Sequence, residues 1–163
     1  MKYTRTLIAI LLSLGGTAAE AQDIHAHPAP MSGLDGRTVL ELSPAERAMI
    51  LDEMRLFLDG VQKMTGALGR QDMPAVAEAA HGMGQKMTHD VPPALRAKLP
   101  PAFRQLGFSV HRDFDQIALD ADSLKDVSHS LGQLSATLQK CVSCHSTYQI
   151  RPAPMTGADR AHP

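Results

Sequence analysis

The run Cys141-Val142-Ser143-Cys144-His145 places two thiols three residues apart with an imidazole directly behind the second. This is the C-x-x-C-H pattern of covalent c-type haem attachment. Each thiol adds to one vinyl group of the porphyrin, and the adjacent His reaches the iron as proximal ligand. The pattern therefore predicts one haem c held by Cys141 and Cys144, with His145 on its iron. Other uses of the two cysteines fit less well. A structural zinc site needs four ligands, and His145 sits too close to Cys144 for these three to make a good tetrahedron. A thioredoxin-type dithiol belongs to a βαβ pattern, and no strand-like alternation is read anywhere in the chain. A disulfide between Cys141 and Cys144 is the plain alternative. Haem is preferred because motif, export signal and helical phase agree.

The element carrying the motif reads as a helix over residues 123–151. Val127, Leu131, Leu134 and Leu138 recur in steps of four, three and four, one face of a helix. The same alternation continues to Cys141, His145 and Tyr148. His145 and one thioether should then point at whatever this helix packs against, which places the haem inside a bundle of helices. Ser123, with Asp126 three later, is read as the start of the helix, and Pro152 and Pro154 as its end.

The rest of the chain supplies three more helices. Ser43-Pro44-Ala45-Glu46 is a capping box. Helix 1 follows to Leu68, with Ile50, Met54, Phe57, Val61, Met64 and Leu68 inward and Gly69 at its end. Asp72 caps a second helix over 73–87, whose face carries Val76, Ala80, Met83 and Met87. Gly82 and Gly84 weaken it or mark a close approach to a neighbour or the porphyrin. A crossing over 88–101 holds Pro92-Pro93 and Pro100-Pro101 around a short turn at 94–98. Helix 3 spans 101–122 with Phe103, Val110, Phe114, Ile117 and Ala121 inward. Four helices joined in this way predict an all-α fold, an antiparallel four-helix bundle with covalently bound haem, over residues 43–151.

Composition sets the class. Lys2 and Arg5, the apolar run at 7–14 and Ala19-Glu20-Ala21 read as a secretory signal peptide over 1–21, too short to persist as a membrane span. The mature chain is expected in the periplasm without a membrane anchor. Without residues 1–21 the net charge is about −2, which argues against a nucleic-acid partner. Residues 22–42 read as a flexible leader, in which His25 and His27 are candidate metal ligands against the plainer reading of a solvated tail. Residues 152–163 read as a C-terminal tail. Aromatics are scarce, and Met, Ala and Leu fill the core.

A C-terminal Cys-Val-Ser-Cys-His-Ser-Thr-Tyr-Gln-Ile-Arg on the last helix of an exported bundle resembles the class II c-type cytochromes, cytochrome c prime and its low-spin relatives. The resemblance covers residues 43–151 and rests on Cys141, Cys144, His145 and Tyr148. Members commonly carry a basic residue just after the Tyr, whereas here Gln149 and Ile150 precede Arg151. Tyr148 and Arg151 are candidate haem-pocket contacts on this basis. The resemblance also implies two forms of the distal side. Low-spin members use a first-helix Met as sixth ligand for electron transfer, while cytochrome c prime leaves an apolar, five-coordinate iron that binds gases.

Few residues follow His145, so a distal ligand is expected from upstream, and Met54 on helix 1 is the candidate iron ligand. Core packing is its competing role. Met83 and Met87 could line the haem, although packing suits both. His111 is a weaker second imidazole, better read as bonded to solvent or a neighbour. Arg55 and Arg151 could pair with propionates. The sequence thus predicts a periplasmic electron carrier, not an enzyme, with redox proteins as partners and a possible homodimer through helices 1 and 2. The alternative is a five-coordinate protein binding nitric oxide or carbon monoxide, with Leu51, Phe57 or Leu58 crowding the distal face. Peroxidase-like chemistry needs a distal acid or base that only His111 could supply.

Overall fold

A computed structural model describes residues 35–153, the side chains of His89 and Asp90 excepted. The signal-peptide reading, His25, His27 and most of the C-terminal tail lie outside them. The chain runs through β1 (Thr38–Leu42), α1 (Pro44–Gly69), α2 (Met73–His81), a 3-10 turn (Gln85–Asp90), α3 (Pro93–Lys98), α4 (Pro101–Ser123), α5 (Val127–Thr147) and β2 (Tyr148–Pro152). The fold is mostly helical, as the apolar periodicity predicts. No helix among the described residues is long and apolar enough to cross a membrane.

Local chemistry explains most boundaries. Ser43 Oγ accepts from the Glu46 amide at 3.3 Å and the Ser43 amide donates to Glu46 Oε2 at 2.9 Å, so the capping box at the start of α1 closes in both directions. Lys98 Nζ donates to both Glu46 oxygens, at 2.7 and 2.9 Å, fastening the end of α3 to that cap. Asp72 Oδ1 caps α2 by accepting from Ala75 N at 3.2 Å. α2 stops at His81 rather than running to Met87, because Gly84 is extended (φ −73°, ψ −173°) and lies against α4. A Cβ at Gly84 would fall 1.8 Å from Asp115 Oδ1, so the close approach read from this glycine is to a neighbouring helix. α5 is capped by Asp126, whose Oδ1 accepts from Ser128 N and His129 N, and not by Ser123.

Two short strands are the main departure from the sequence reading. Thr38–Leu42, read as the end of a flexible leader, is a strand whose Leu40 and Leu42 are buried while Val39 and Glu41 face out. It pairs in parallel with Tyr148–Pro152, from Thr38 opposite Tyr148 to Leu42 opposite Pro152. The last helix therefore ends at Thr147, not Arg151. Pro152 disfavours the helical region for Arg151, and Tyr148 is already extended (φ −121°, ψ 149°).

Two apolar clusters follow from this. The larger joins Met64, Leu68, Met73, Val76, Ala80 and Met83 to Val110, Phe114, Ile117, Ala121 and Leu134. The smaller, Leu40, Leu42, Ile50, Leu95 and Leu99 with Phe103, Tyr148 and Ile150, glues the strand pair to α1, α3 and α4. α1 packs on α2, α2 on α4 and α4 on α5, but no packing of comparable extent joins α1 to α5.

Candidate functional site

Cys141, Cys144 and His145 occupy the last two turns of α5, just before the chain turns into β2. Both thiols are free and half-buried. Burial pushes the Cys141 thiol up from its ordinary pKa, and burial followed by the neighbouring Cys141 does the same for Cys144. Both are protonated near neutral pH, so neither is an activated thiolate of the redox-enzyme kind. His145 is exposed, and among the described residues its imidazole has no hydrogen-bond partner. Its backbone carbonyl accepts from Arg37 Nη1 at 3.2 Å. Arg37 thus satisfies one of the open carbonyls at the end of α5 from the residue before β1.

The phase of α5 differs from the sequence reading. Ser130, Leu134 and Thr137 are its buried residues, and they pack toward α4. Leu131 and Leu138 are 47% and 38% exposed, so of the three predicted leucines only Leu134 is in the core. Thr137 bonds to Gln133 O at 3.0 Å and Asp113 Oδ2 at 3.5 Å, and small polar residues of this kind let α4 and α5 approach. At about 100° per residue, Leu131, Leu138, Val142 and His145 fall within about 60° of one another. They form a stripe beside the buried arc; Cys141 falls within that arc, between Ser130 and Leu134, and Cys144 falls beyond its far side. His145 is thus on an uncovered apolar stripe and not inside the packed interface.

α1 repeats this arrangement. Its buried residues are Ile50, Gly60, Met64, Ala67 and Leu68. Beside them, Leu51, Met54, Leu58 and Val61 span about 80° of the helix. Met54 is half-buried and Leu58 is 72% exposed. The apolar faces around Met54 and around His145 therefore belong to helices with no extensive packing on each other.

The remaining candidates are placed as follows. Met83 is buried over Gly60, where a Cβ would come within 2.3 Å of its Sδ, so it is core. Met87 is half-buried and lines a cleft of about 230 Å³ with Met49, Ile50, Glu53, Leu56 and Leu95, away from the C-x-x-C-H residues. Tyr148 stacks edge-on against Phe103, with ring centroids 5.2 Å apart, in the smaller cluster. Arg151 is exposed opposite Glu41 and donates to Gln149 Oε1 at 3.0 Å. Arg55 pairs with Asp52 on the exposed side of α1.

His111 is buried, at 4% exposure, and bonded to neighbours on both nitrogens. Nδ1 donates to the Met83 carbonyl at 2.8 Å and Nε2 lies 3.2 Å from Glu53 Oε1. Burial alone would lower its pKa, but the Glu53 hydrogen bond, the Met83 carbonyl and the Glu53 charge together outweigh it and raise the value. The Glu53 end of this pair and the role of Arg37 escaped the sequence reading. A Glu on the edge of an apolar stripe opposite a His has no local signature, and Arg37 acts across a strand pairing.

Comparisons with protein-family models, curated proteins and solved structures find no match to this chain. The donor set itself fits covalent haem c. Two free, half-buried thiols three apart lie on and just beyond the buried arc of α5, and the imidazole, with no hydrogen-bond partner among the described residues, lies at the edge of the exposed apolar stripe.

Proposed function

We propose that this chain is an exported monohaem c-type cytochrome of the class II kind, carrying single electrons between redox proteins of the periplasm. The observation that carries the reading is that Cys141, Cys144 and His145 share the last two turns of α5, both thiols free and half-buried, with the exposed imidazole at the edge of an apolar stripe of Leu131, Leu138 and Val142 that the other described residues leave exposed. In this reading α1, α2, α4 and α5 are an antiparallel four-helix bundle, and the short α3 belongs to its one long crossing. Haem c, when bound, supplies a one-electron iron centre.

The chain's own residues do the rest. Cys141 and Cys144 would hold the group covalently and prevent its loss to the medium. His145, free of any competing hydrogen bond among the described residues, would be one ligand to its iron. Met54 would be the other, and a thioether donor favours ferrous iron. Leu51, Leu58 and Val61 beside it, with Leu131, Leu138 and Val142 on α5, would exclude water from the group. Tyr148 holds the end of α5 through the Phe103 cluster, and Arg151 lies at the rim. Partners would dock through a small transient interface, and self-association of two bundles through α1 and α2 belongs to the same proposal.

The test is to express the chain with a haem-attachment system and record its spectra. A mass increase of one haem that survives denaturation, and its loss in the Cys141→Ser/Cys144→Ser variant, supports attachment. A low-spin ferric spectrum with the sulfur-to-iron band, and a ferrous form slow to bind carbon monoxide, supports Met54 ligation and electron transfer. A high-spin spectrum that changes at once with the gas moves the protein to the gas-binding class, with Leu51 and Leu58 as its distal wall. Absence of covalent haem overturns the reading.

A further inference from the structure

We propose that Glu53 and His111 are a positioning pair for Met54, an inference that rests on the distal-ligand reading above. Met54 can reach an iron held on α5 only if α1 is fixed in rotation, because a turn of about 10° moves an atom 5–6 Å from the helix axis by about 1 Å. Axial ligation does not tolerate that error. Extensive backbone packing joins α1 to α4 only through α2, since the two helices have no direct packing of the extent that joins α1 to α2. Side chains that bridge α1 and α4 directly therefore set its rotation more closely.

Three contacts converge on His111. Its Nε2 meets Glu53, the residue immediately before Met54, at 3.2 Å. Its Nδ1 donates to the Met83 carbonyl at 2.8 Å, in the segment seated over Gly60 of α1. Phe57, one turn beyond Glu53, lies with its ring centroid 4.9 Å from the imidazole and 5.7 Å from Phe114. Because Nδ1 faces a carbonyl and Nε2 a carboxylate, an imidazolium donating from both nitrogens satisfies every partner. A part-buried, charge-assisted bond of this kind is short of alternatives and holds one geometry. Its position at 53 sets the rotation of α1 at 54. The pair does not touch the iron chemistry itself.

The experiment uses the haem-loaded full chain and compares wild type with Glu53→Ala, Glu53→Gln and His111→Ala. Glu53 is partly exposed, so its truncation leaves a folded protein, checked by far-UV circular dichroism. Glu53→Ala and His111→Ala should lose at least half of the ferric sulfur-to-iron band and bind carbon monoxide about tenfold faster, since ligation to a loosely held thioether is intermittent. Glu53→Gln keeps an oxygen that accepts from Nε2 and should restore the band and the slow gas rate. Wild-type behaviour in both alanine variants, or failure of Glu53→Gln to restore it, overturns the positioning role. Absence of the band in the wild type overturns the Met54 reading first, and this inference with it.

Discussion

Leu42→Ala separates the strand from the leader that residues 22–42 suggest in the sequence. Leu42 is 1% exposed and sits among Leu40, Ile50, Leu95 and Leu99. The substitution removes three carbons from a buried site, about 2.4 kcal/mol of transfer free energy at about 0.8 kcal/mol per group. The cavity left behind adds to this. The cluster is small and near the surface, so it relaxes in part, and a total of about 3 kcal/mol is expected. For a domain of this size that lowers the melting temperature by roughly 8–15 °C.

Val39→Ala is the internal comparison. Val39 is 39% exposed on the outer side of the same strand, and its loss should cost less than about 1 kcal/mol. Urea and thermal unfolding followed by far-UV circular dichroism measure both. In the haem-loaded protein the Soret transition should shift with the far-UV one, because β1 pairs with a strand that begins three residues after His145. A Leu42→Ala midpoint within about 0.5 kcal/mol of wild type would refute the reasoning and return residues 38–42 to the leader.

The phase of α5 is open to the same treatment: Leu134→Ala should cost about 2–4 kcal/mol with or without haem, whereas Leu138→Ala should cost under about 1 kcal/mol in the Cys141→Ser/Cys144→Ser protein and distinctly more once haem covers it. Chemical denaturation of both forms checks this, and equal costs for Leu138→Ala in the two would count against haem on that stripe. Gly84→Ala should destabilise by about 1–3 kcal/mol, because the new Cβ displaces Asp115 from the backbone and side-chain amides of Gln85. Gly132→Ala meets nothing within 4 Å on α5 and should stabilise by about 0.5–1 kcal/mol in the same assay. His111 has a folded pKa above its ordinary value, so its contribution is complete below about pH 6.5 and fades as pH rises through the folded value. The urea midpoint should therefore fall from about pH 6 to about pH 8 in wild type, and the part due to this group should vanish in His111→Gln.

Local signals carried the helices well. The capping box at Ser43, the Asp72 cap, and the apolar repeats of α1 and α4 act over a few residues, so a linear reading finds them. The strands were not legible in the same way. Thr38–Leu42 and Tyr148–Pro152 each alternate for only five residues, and each is stable only because the other, more than a hundred residues away, supplies its hydrogen bonds. Pro152 is a local signal, but it constrains Arg151 before it, so the helix must end upstream of 151. The sequence reads His111 as a boundary residue bonded to solvent or a neighbour; it is buried and bonded to Met83 and Glu53, partners that depend on how α1 docks.

The mismatch on α5 has a different origin. A sequence shows which residues of a helix are apolar, and not what will cover them. Leu131, Leu138 and Val142 are as apolar as Leu134, so an apolar repeat merges the two sets into one stripe pointing at the core. The fold divides them, with Leu134 against α4 and the others left out beside His145. A protein has little reason to keep three large aliphatic residues exposed along a single helix face unless something apolar covers them. Leu51 and Leu58 flank Met54 on α1 in the same incomplete way. Two half-finished faces, one bordered by an imidazole and the other carrying a thioether, are what a chain would retain if a flat apolar cofactor completed its core. On the proposed reading, the exposed stripe of α5 and the C-x-x-C-H motif would have one cause.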